Sequence, residues 1–309
     1  MKKLIEIRDE YLAKLISSEF GSNERISSGI PALDKMSAGF FKGELIVLGG
    51  RPAMGKTAFS VTQAIALLEQ DIPVLYYSLE LSELKMLYRF IKQMGDHRLF
   101  AHPYTEFISD QKVFEMESEK HIEKLKAYPL YIVSNTSGKI QDFEKAVEEF
   151  RLIHPKRGFI IFDYLQLLHD RAYNRENEIA SAIRKLKLIA NETGYPIFVL
   201  SQLSRAVETR GGDKRPQLSD LRESGAIEQD ADKILFLHRP EYYGFNQDCD
   251  GNSTAGLAEF IVAKNRTGSV GSFNLHFTDR TGSFSDPDVI NKTNFRDMRK
   301  DEFDKESPF

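Results

Sequence analysis

A lysine followed by a hydroxyl residue closes the run Gly50, Arg51, Pro52, Ala53, Met54, Gly55, Lys56, Thr57 and Ala58. That spacing is a phosphate-binding loop. Glycines let successive backbone N–H groups curl around a β-phosphate, and the following helix N-terminus favours negative charge. Lys56 is placed to reach the β- and γ-phosphates and the Thr57 hydroxyl to ligate Mg²⁺, so the run implies ATP or another nucleoside triphosphate as ligand. Three further polar residues directly follow apolar runs. Asp163 ends Phe159 to Phe162 and reads either as a carboxylate holding the water shell of Mg²⁺ opposite Thr57 or as a helix N-cap. Glu80 follows Val74 to Leu79, placed either to orient and deprotonate an attacking water or simply on the surface ahead of a helix from Ser82. Gln202 follows Ile197 to Ser201, where an uncharged amide could sense a γ-phosphate.

These residues need strands that end together. Strand-like runs are expected at Leu45 to Leu48, Val74 to Ser78, Leu130 to Val133, Phe159 to Phe162 and Ile197 to Leu200. Helical patterns separate them over Thr57 to Gln70, Ser82 to Met94, Ile140 to Ile153 and Glu178 to Asn191. The alternation predicts an α/β fold, a mostly parallel sheet with helices on both faces, in which ligands sit at the carboxyl ends of the strands. After Asp232 the links shorten, and Ile234 to Leu237, Ala258 to Ala263 and Ser272 to Phe277 predict antiparallel strands extending that sheet. The expected organisation is an amphipathic helix or linker over 1–24, a nucleotide-binding α/β domain over 25–285 and a polar tail over 286–309. The first helix carries Leu4, Ile7, Tyr11 and Leu15 on one stripe, which must cover either its own core or a neighbouring subunit.

Composition removes other classes. With 41% hydrophobic residues, no apolar run near 18 residues and a charged first segment, neither a membrane span nor a secretory signal is expected, and the expected location is cytoplasmic. The lone Cys249 forms no internal disulfide, and the seven histidines make no metal-site spacing. Net charge is −4, so any contact with a nucleic acid must come from a local cluster. The stretch from Leu203 to Arg222 holds Arg205, Arg210, Lys214, Arg215 and Arg222, read as a mobile loop that is either solvated and mixed in charge or a basic contact surface.

Taken together, Gly50 to Thr57, Ser78-Leu-Glu-Leu81, Asp163-Tyr-Leu-Gln-Leu167, Leu200-Ser-Gln-Leu203, Ser219 to Asp232 and Ala263-Lys-Asn-Arg-Thr-Gly268 resemble the C-terminal motor domain of DnaB-type replicative helicases. The resemblance runs from about Arg25 to Phe284, and Ser219 to Asp232 is its most specific part. It implies a RecA-like P-loop ATPase that forms a homohexameric ring with head-to-tail interfaces around single-stranded DNA and moves along it using ATP. It also implies Glu80 as catalytic carboxylate, Asp163 as the Mg²⁺ residue and Gln202 as γ-phosphate sensor. Lys264 and Arg266 are implied as fingers entering the neighbour's ATP site. Arg222, Glu223 and Gly225 are implied as DNA-facing residues in a loop of the central channel.

The pattern departs from the family in three places. About 24 residues precede the match where the family usually carries an N-terminal domain and linker, so collar formation and primase contact are not carried over. His97 to Ala127 is unlike the usual sequence, with consequences for a surface used by a loader or other partner. Thr267-Gly-Ser269 replaces the commoner Asn-Gly-Pro after the finger. The expected function is an ATP-dependent DNA helicase and translocase in replication. The alternatives are an ATP-switched accessory protein that binds DNA or a full-length helicase without unwinding, and a RecA/KaiC-like regulatory ATPase.

Overall fold

The structure, a computed structural model, describes residues 25–95, 111–168, 175–221, 225–248 and 250–287, together with Arg8. Its strands in chain order are β1 (Arg25–Ile26), β2 (Phe40–Phe41), β3 (Leu45–Gly50), β4 (Val74–Ser78), β5 (Leu130–Ser134), β6 (Phe159–Asp163), β7 (Ile197–Gln202), β8 (Lys233–His238), β9 (Leu257–Asn265), β10 (Gly271–Thr278) and β11 (Ser283–Ser285). The helices are α1 (Pro31–Ser37), α2 (Lys56–Leu68), α3 (Glu83–Met94), α4 (Gln111–Lys126), α5 (Ile140–Ile153), α6 (Arg175–Thr193), α7 (Ala206–Thr209) and α8 (Gly225–Asp230).

Among the described residues, nine strands form one sheet in the order β11-β10-β9-β8-β3-β7-β6-β4-β5, and β1 pairs with β2 apart from it. The strands from β8 to β5 run parallel, and β8, β9, β10 and β11 pair antiparallel. Strands β3, β4, β6 and β8 are buried along their whole length, which is why each reads as an unbroken apolar run. Their side chains alternate between two cores. Ile46, Leu48, Phe198 and Leu200 face the layer holding Phe59, Val61 and Leu67 of α2. Leu45, Val47, Ile197 and Val199 face the layer holding Phe143 and Val147 of α5 and Ile179, Ile183 and Leu186 of α6.

Consecutive strands β3 and β4 are separated in the sheet by β7 and β6. The chain therefore leaves β3 across the sheet, and a crevice opens at the carboxyl ends of these strands. The mostly parallel sheet with antiparallel strands at its C-terminal end is the predicted architecture. The Leu203 to Leu221 stretch differs from the expected mobile loop: it contains α7 and a 3₁₀ turn at Leu218–Asp220. Arg210 is paired with Asp220, Arg215 with Glu259, and Lys214 lies 5.4 Å from the centre of the Tyr243 ring. The expected first helix, the tail from 288 onward and Cys249 lie outside the described residues. Among the described residues, no helix is long and apolar enough to cross a membrane.

Candidate active site

The loop between β3 and α2 is built by backbone conformations that its residue types permit. Gly55 adopts φ 101°, where a Cβ would also come within 3.0 Å of the Phe284 ring, and Ala53 takes φ 62°. A cavity of about 430 Å³ opens over it, lined by Pro52, Ala53, Gly55, Lys56, Thr57 and Ala58 from this loop. Gly50, Arg51 and Met54 do not line it. Met54 is buried in the core. Arg51, 5% exposed, turns away and braces the loop from behind: its guanidinium donates to the Leu203 carbonyl at 2.6 Å and to Glu208 at 2.8 Å. Gly50 gives its carbonyl to the Lys56 ammonium at 2.9 Å, and the Arg51 carbonyl accepts from the same group at 3.1 Å.

Register brings the carboxylates to the same end. Ser78 of β4 stands opposite Asp163 of β6, so Glu80, two residues past the end of β4, and Asp163 both reach the cavity above the loop. Thr57 donates its hydroxyl to Asp163 Oδ2 at 2.9 Å, and the fully buried Tyr76 donates to the same oxygen at 3.2 Å. Tyr76 is fixed in turn by Ser60 at 2.6 Å. Burial pushes the Asp163 carboxyl up to about 6, with the nearby Glu80 adding to it and the Thr57 and Tyr76 hydrogen bonds opposing. Burial also lowers the Lys56 ammonium to about 8, although Asp163 and Glu80 pull the other way. A half-buried ammonium lining the cavity, beside a hydroxyl and a carboxylate that touch, is a donor set fitting a triphosphate with a hard divalent cation. Glu80 is exposed within the cavity, as a residue meeting water must be.

Gln202 ends β7 and lines the same cavity. Its backbone N–H donates to the Gln166 side chain at 2.9 Å, while the Gln166 amide donates to Ser201 Oγ at 3.0 Å and to the Gln202 carbonyl at 3.2 Å. Gln166 thereby locks the strand tip that carries Gln202. Sequence reasoning missed Tyr76 and this use of Gln166, along with Arg89, Lys92, Arg239, Phe277 and Asp279 in the lining. Arg239 stacks 3.9 Å above the Phe277 ring and pairs with Glu241. A stacked guanidinium and extra cations around a phosphate loop suit the rest of a nucleotide. The only sequence signal was that Arg239 stands just past His238, at the end of the strand built on the apolar run Ile234 to Leu237.

Lys264 and Arg266 sit elsewhere. Lys233, which opens β8, pairs with Asn265, and the Arg266 amide donates to the Asp232 carbonyl at 3.0 Å, while Asp232 itself hydrogen-bonds Leu45 at the start of β3. The two residues thus lie at the amino end of the parallel strands and the phosphate loop at the carboxyl end, about 17 Å away along β3 at the ordinary strand rise. Gly225 opens α8, with open space where a Cβ would stand. Arg222 and Glu223 lie outside the described residues.

Comparison with known proteins gives this geometry a family. The model of the DnaB-like helicase C-terminal domain matches residues 25–286. A probable plasmid replicative DNA helicase of Chlamydia psittaci is 41% identical over 265 residues, covering 84% of this chain and 55% of that protein. The replicative DNA helicase DnaB of Geobacillus stearothermophilus is 34% identical over 279 residues, covering 88% of this chain and 58% of its own. The chain therefore spans little more than half the length of these curated relatives. A solved ATPase domain superposes with TM-score 0.78 and 32% identity over 90% of this chain and 98% of its own. A solved DnaB-like replicative helicase, described with its primase interactions, gives TM-score 0.77 and 31% identity over 92% of this chain and 67% of that one. With the P-loop, the strand-tip carboxylates and the sheet order all in place, the chain belongs to the DnaB-like helicase C-terminal domain family.

Proposed function

We propose that this chain is an ATP-hydrolysing motor that assembles head-to-tail into a ring, a homohexamer, around single-stranded DNA and drives helicase movement along it. The observation that carries the reading is the placement of Lys264 and Arg266 at the opposite end of the sheet from their own phosphate loop. A guanidinium there is out of reach of its own chain's cavity. Half-exposed, it is open to a neighbour, which supports a head-to-tail arrangement, where one surface of a chain faces a different surface of the next.

The roles follow from the cavity. Lys56 and the loop amides hold the β- and γ-phosphates, and Glu80 orients the attacking water and takes its proton. Thr57 and Asp163 would hold Mg²⁺, which neutralises phosphate charge when bound. Gln202, at the strand tip that Gln166 holds, faces the γ-phosphate and passes its presence to the following loop. The neighbour's Arg266, with Lys264, offsets charge spread over the transferred phosphoryl group, an effect worth about 10³–10⁵-fold in nucleotide hydrolases. Arg222, Glu223 and Gly225 contact the DNA backbone, and six copies of Arg222 give the lumen of a ring of chains of net charge −4 a local positive belt. A loader or a full-length helicase is a further partner.

Strand displacement on a forked duplex with ATP and Mg²⁺ tests this reading. Displacement that stops on Glu80→Gln substitution is expected. Robust ATP turnover with no displacement at any chain concentration would favour the accessory reading instead.

A further inference from the structure

Arg266 is not a loose finger. One of its terminal nitrogens donates to Asp232 Oδ1 at 3.0 Å and the other to the Gln229 carbonyl at 2.7 Å, while its side chain stays 49% exposed. The other carboxylate oxygen of Asp232 is committed to the framework: Oδ2 accepts from the Leu45 amide at 2.8 Å and from Lys187 at 2.6 Å. Lys187 also donates to the Gly43 carbonyl at 2.8 Å, which fixes it to the segment entering β3. Asp232 is therefore a two-sided clamp, one oxygen on the sheet and α6, the other on the finger. Its side chain is only 10% exposed, so these charge-assisted bonds form in a poorly solvated place.

The same spot joins the finger to α8. Lys264 donates to the carbonyls of Glu228 and Ala231 at 2.5 and 2.7 Å, with Gln229 at 3.3 Å, so it caps the C-terminal end of the helix that Gly225 opens.

We propose that Asp232 is a positioning residue for the finger, holding the Arg266 guanidinium at a fixed place and orientation relative to β3 and to the end of α8. This rests on the proposed action of Arg266 in a neighbour's site. Replacing the carboxylate by an amide removes the anion between Lys187 and Arg266. An Asn whose oxygen serves Leu45 and Lys187 turns its N–H₂ against the guanidinium, donor against donor. The finger is released while the phosphate loop, at the other end of the strands, is untouched.

The test is ATP turnover by rings of one chain type and of mixed chains, with single-stranded DNA and Mg²⁺. Asp232→Asn is expected to lower kcat at least about tenfold with KM within about twofold of wild type. Mixing it with Glu80→Gln chains, which hydrolyse nothing yet carry a well-held Arg266, is expected to restore turnover at the intact Asp232→Asn sites. Lys187→Gln, which removes the Lys187 cation from Oδ2 and leaves it the Leu45 amide but keeps the Asp232 to Arg266 pair, is expected to give a smaller kcat loss at the same KM and the same rescue, and it serves if Asp232→Asn does not fold. Wild-type kcat in either foldable variant overturns the proposal. So does recovery by Arg266→Ala mixed with Glu80→Gln without recovery by the Asp232→Asn mixture. If Arg266→Ala and Glu80→Gln also fail to complement, the finger between subunits is wrong and the role of Asp232 goes with it.

Discussion

Asp163 and Tyr76 show how one buried oxygen can set a pH limit. The Asp163 carboxyl, raised by burial to about 6, is mostly neutral below that pH, and a divalent cation with its nucleotide needs the charged form. Affinity for Mg²⁺ with ATP should thus be flat between about pH 6 and 8 and fall on the acid side. Tyr76→Phe removes a hydrogen bond that favours the charged carboxylate, so the acid limb should move to higher pH. A pH series of nucleotide binding followed by fluorescence reads this directly, and an acid limb that stays in place would contradict it. Lys56 gives the complementary case. Its ammonium is lowered from 10.5 to about 8, so the stability it contributes is present above 10.5 and lost as pH falls through 8. The nucleotide-free protein should gain stability between pH 8 and 10 relative to Lys56→Met, as measured by denaturant unfolding; parallel curves would count against a buried charged lysine. The placement of Lys56, Thr57 and Asp163 was legible in the sequence because Asp163 ends its own strand and Lys56 and Thr57 follow β3 after one short glycine-bounded loop. Tyr76 and Gln166 were not, because each acts across the sheet on a residue more than 30 positions away in the chain.

At the scale of elements, continuous apolar runs exposed the parallel strands because strands buried on both faces have no polar side to interrupt them. The short pieces escaped notice. β1 and β2 have two residues each, too few for any period, and α1 is set by local bonds: Pro31 starts it and Asp34 reaches back to accept from the Ser28 amide at 2.8 Å. Strand β11 has three residues, yet Phe284 in it packs at 5.5 Å from Phe59 of α2. Phe59 also lies 4.4 Å from Phe260 of β9 and 6.2 Å from Phe198 of β7, joining the helix behind the phosphate loop to the antiparallel strands. Phe59→Ala should cost about 3–5 kcal/mol of stability. Chemical denaturation gives this number, and a loss under about 1 kcal/mol would mean that the two halves of the sheet do not share this core. The basic stretch after Leu203 was ambiguous in the sequence because charge alone does not reveal partners; Arg210 and Arg215 turn out to face carboxylates.

For the whole molecule, the question the proposed function raises is how a chain of net charge −4 would hold a polyanion. In the ring proposed above, Arg222 supplies a phosphate contact without reading bases. Arg222→Ala should therefore weaken all single strands alike and reduce the slope of log affinity against log salt by about 1 for each phosphate no longer neutralised. Weakening confined to one base sequence would argue for base readout instead. The proposed assembly rests in the sequence only on family resemblance, since Lys264 and Arg266 alone read as a basic turn; the sheet register is what separates them from their own cavity. The most direct measurement of the central claim is ATP turnover per chain as a function of chain concentration, with Mg²⁺ and single-stranded DNA in excess. A site completed by its neighbour's Arg266 predicts turnover that collapses on dilution in step with loss of the oligomer. Turnover per chain that stays constant while the protein is monomeric would contradict it.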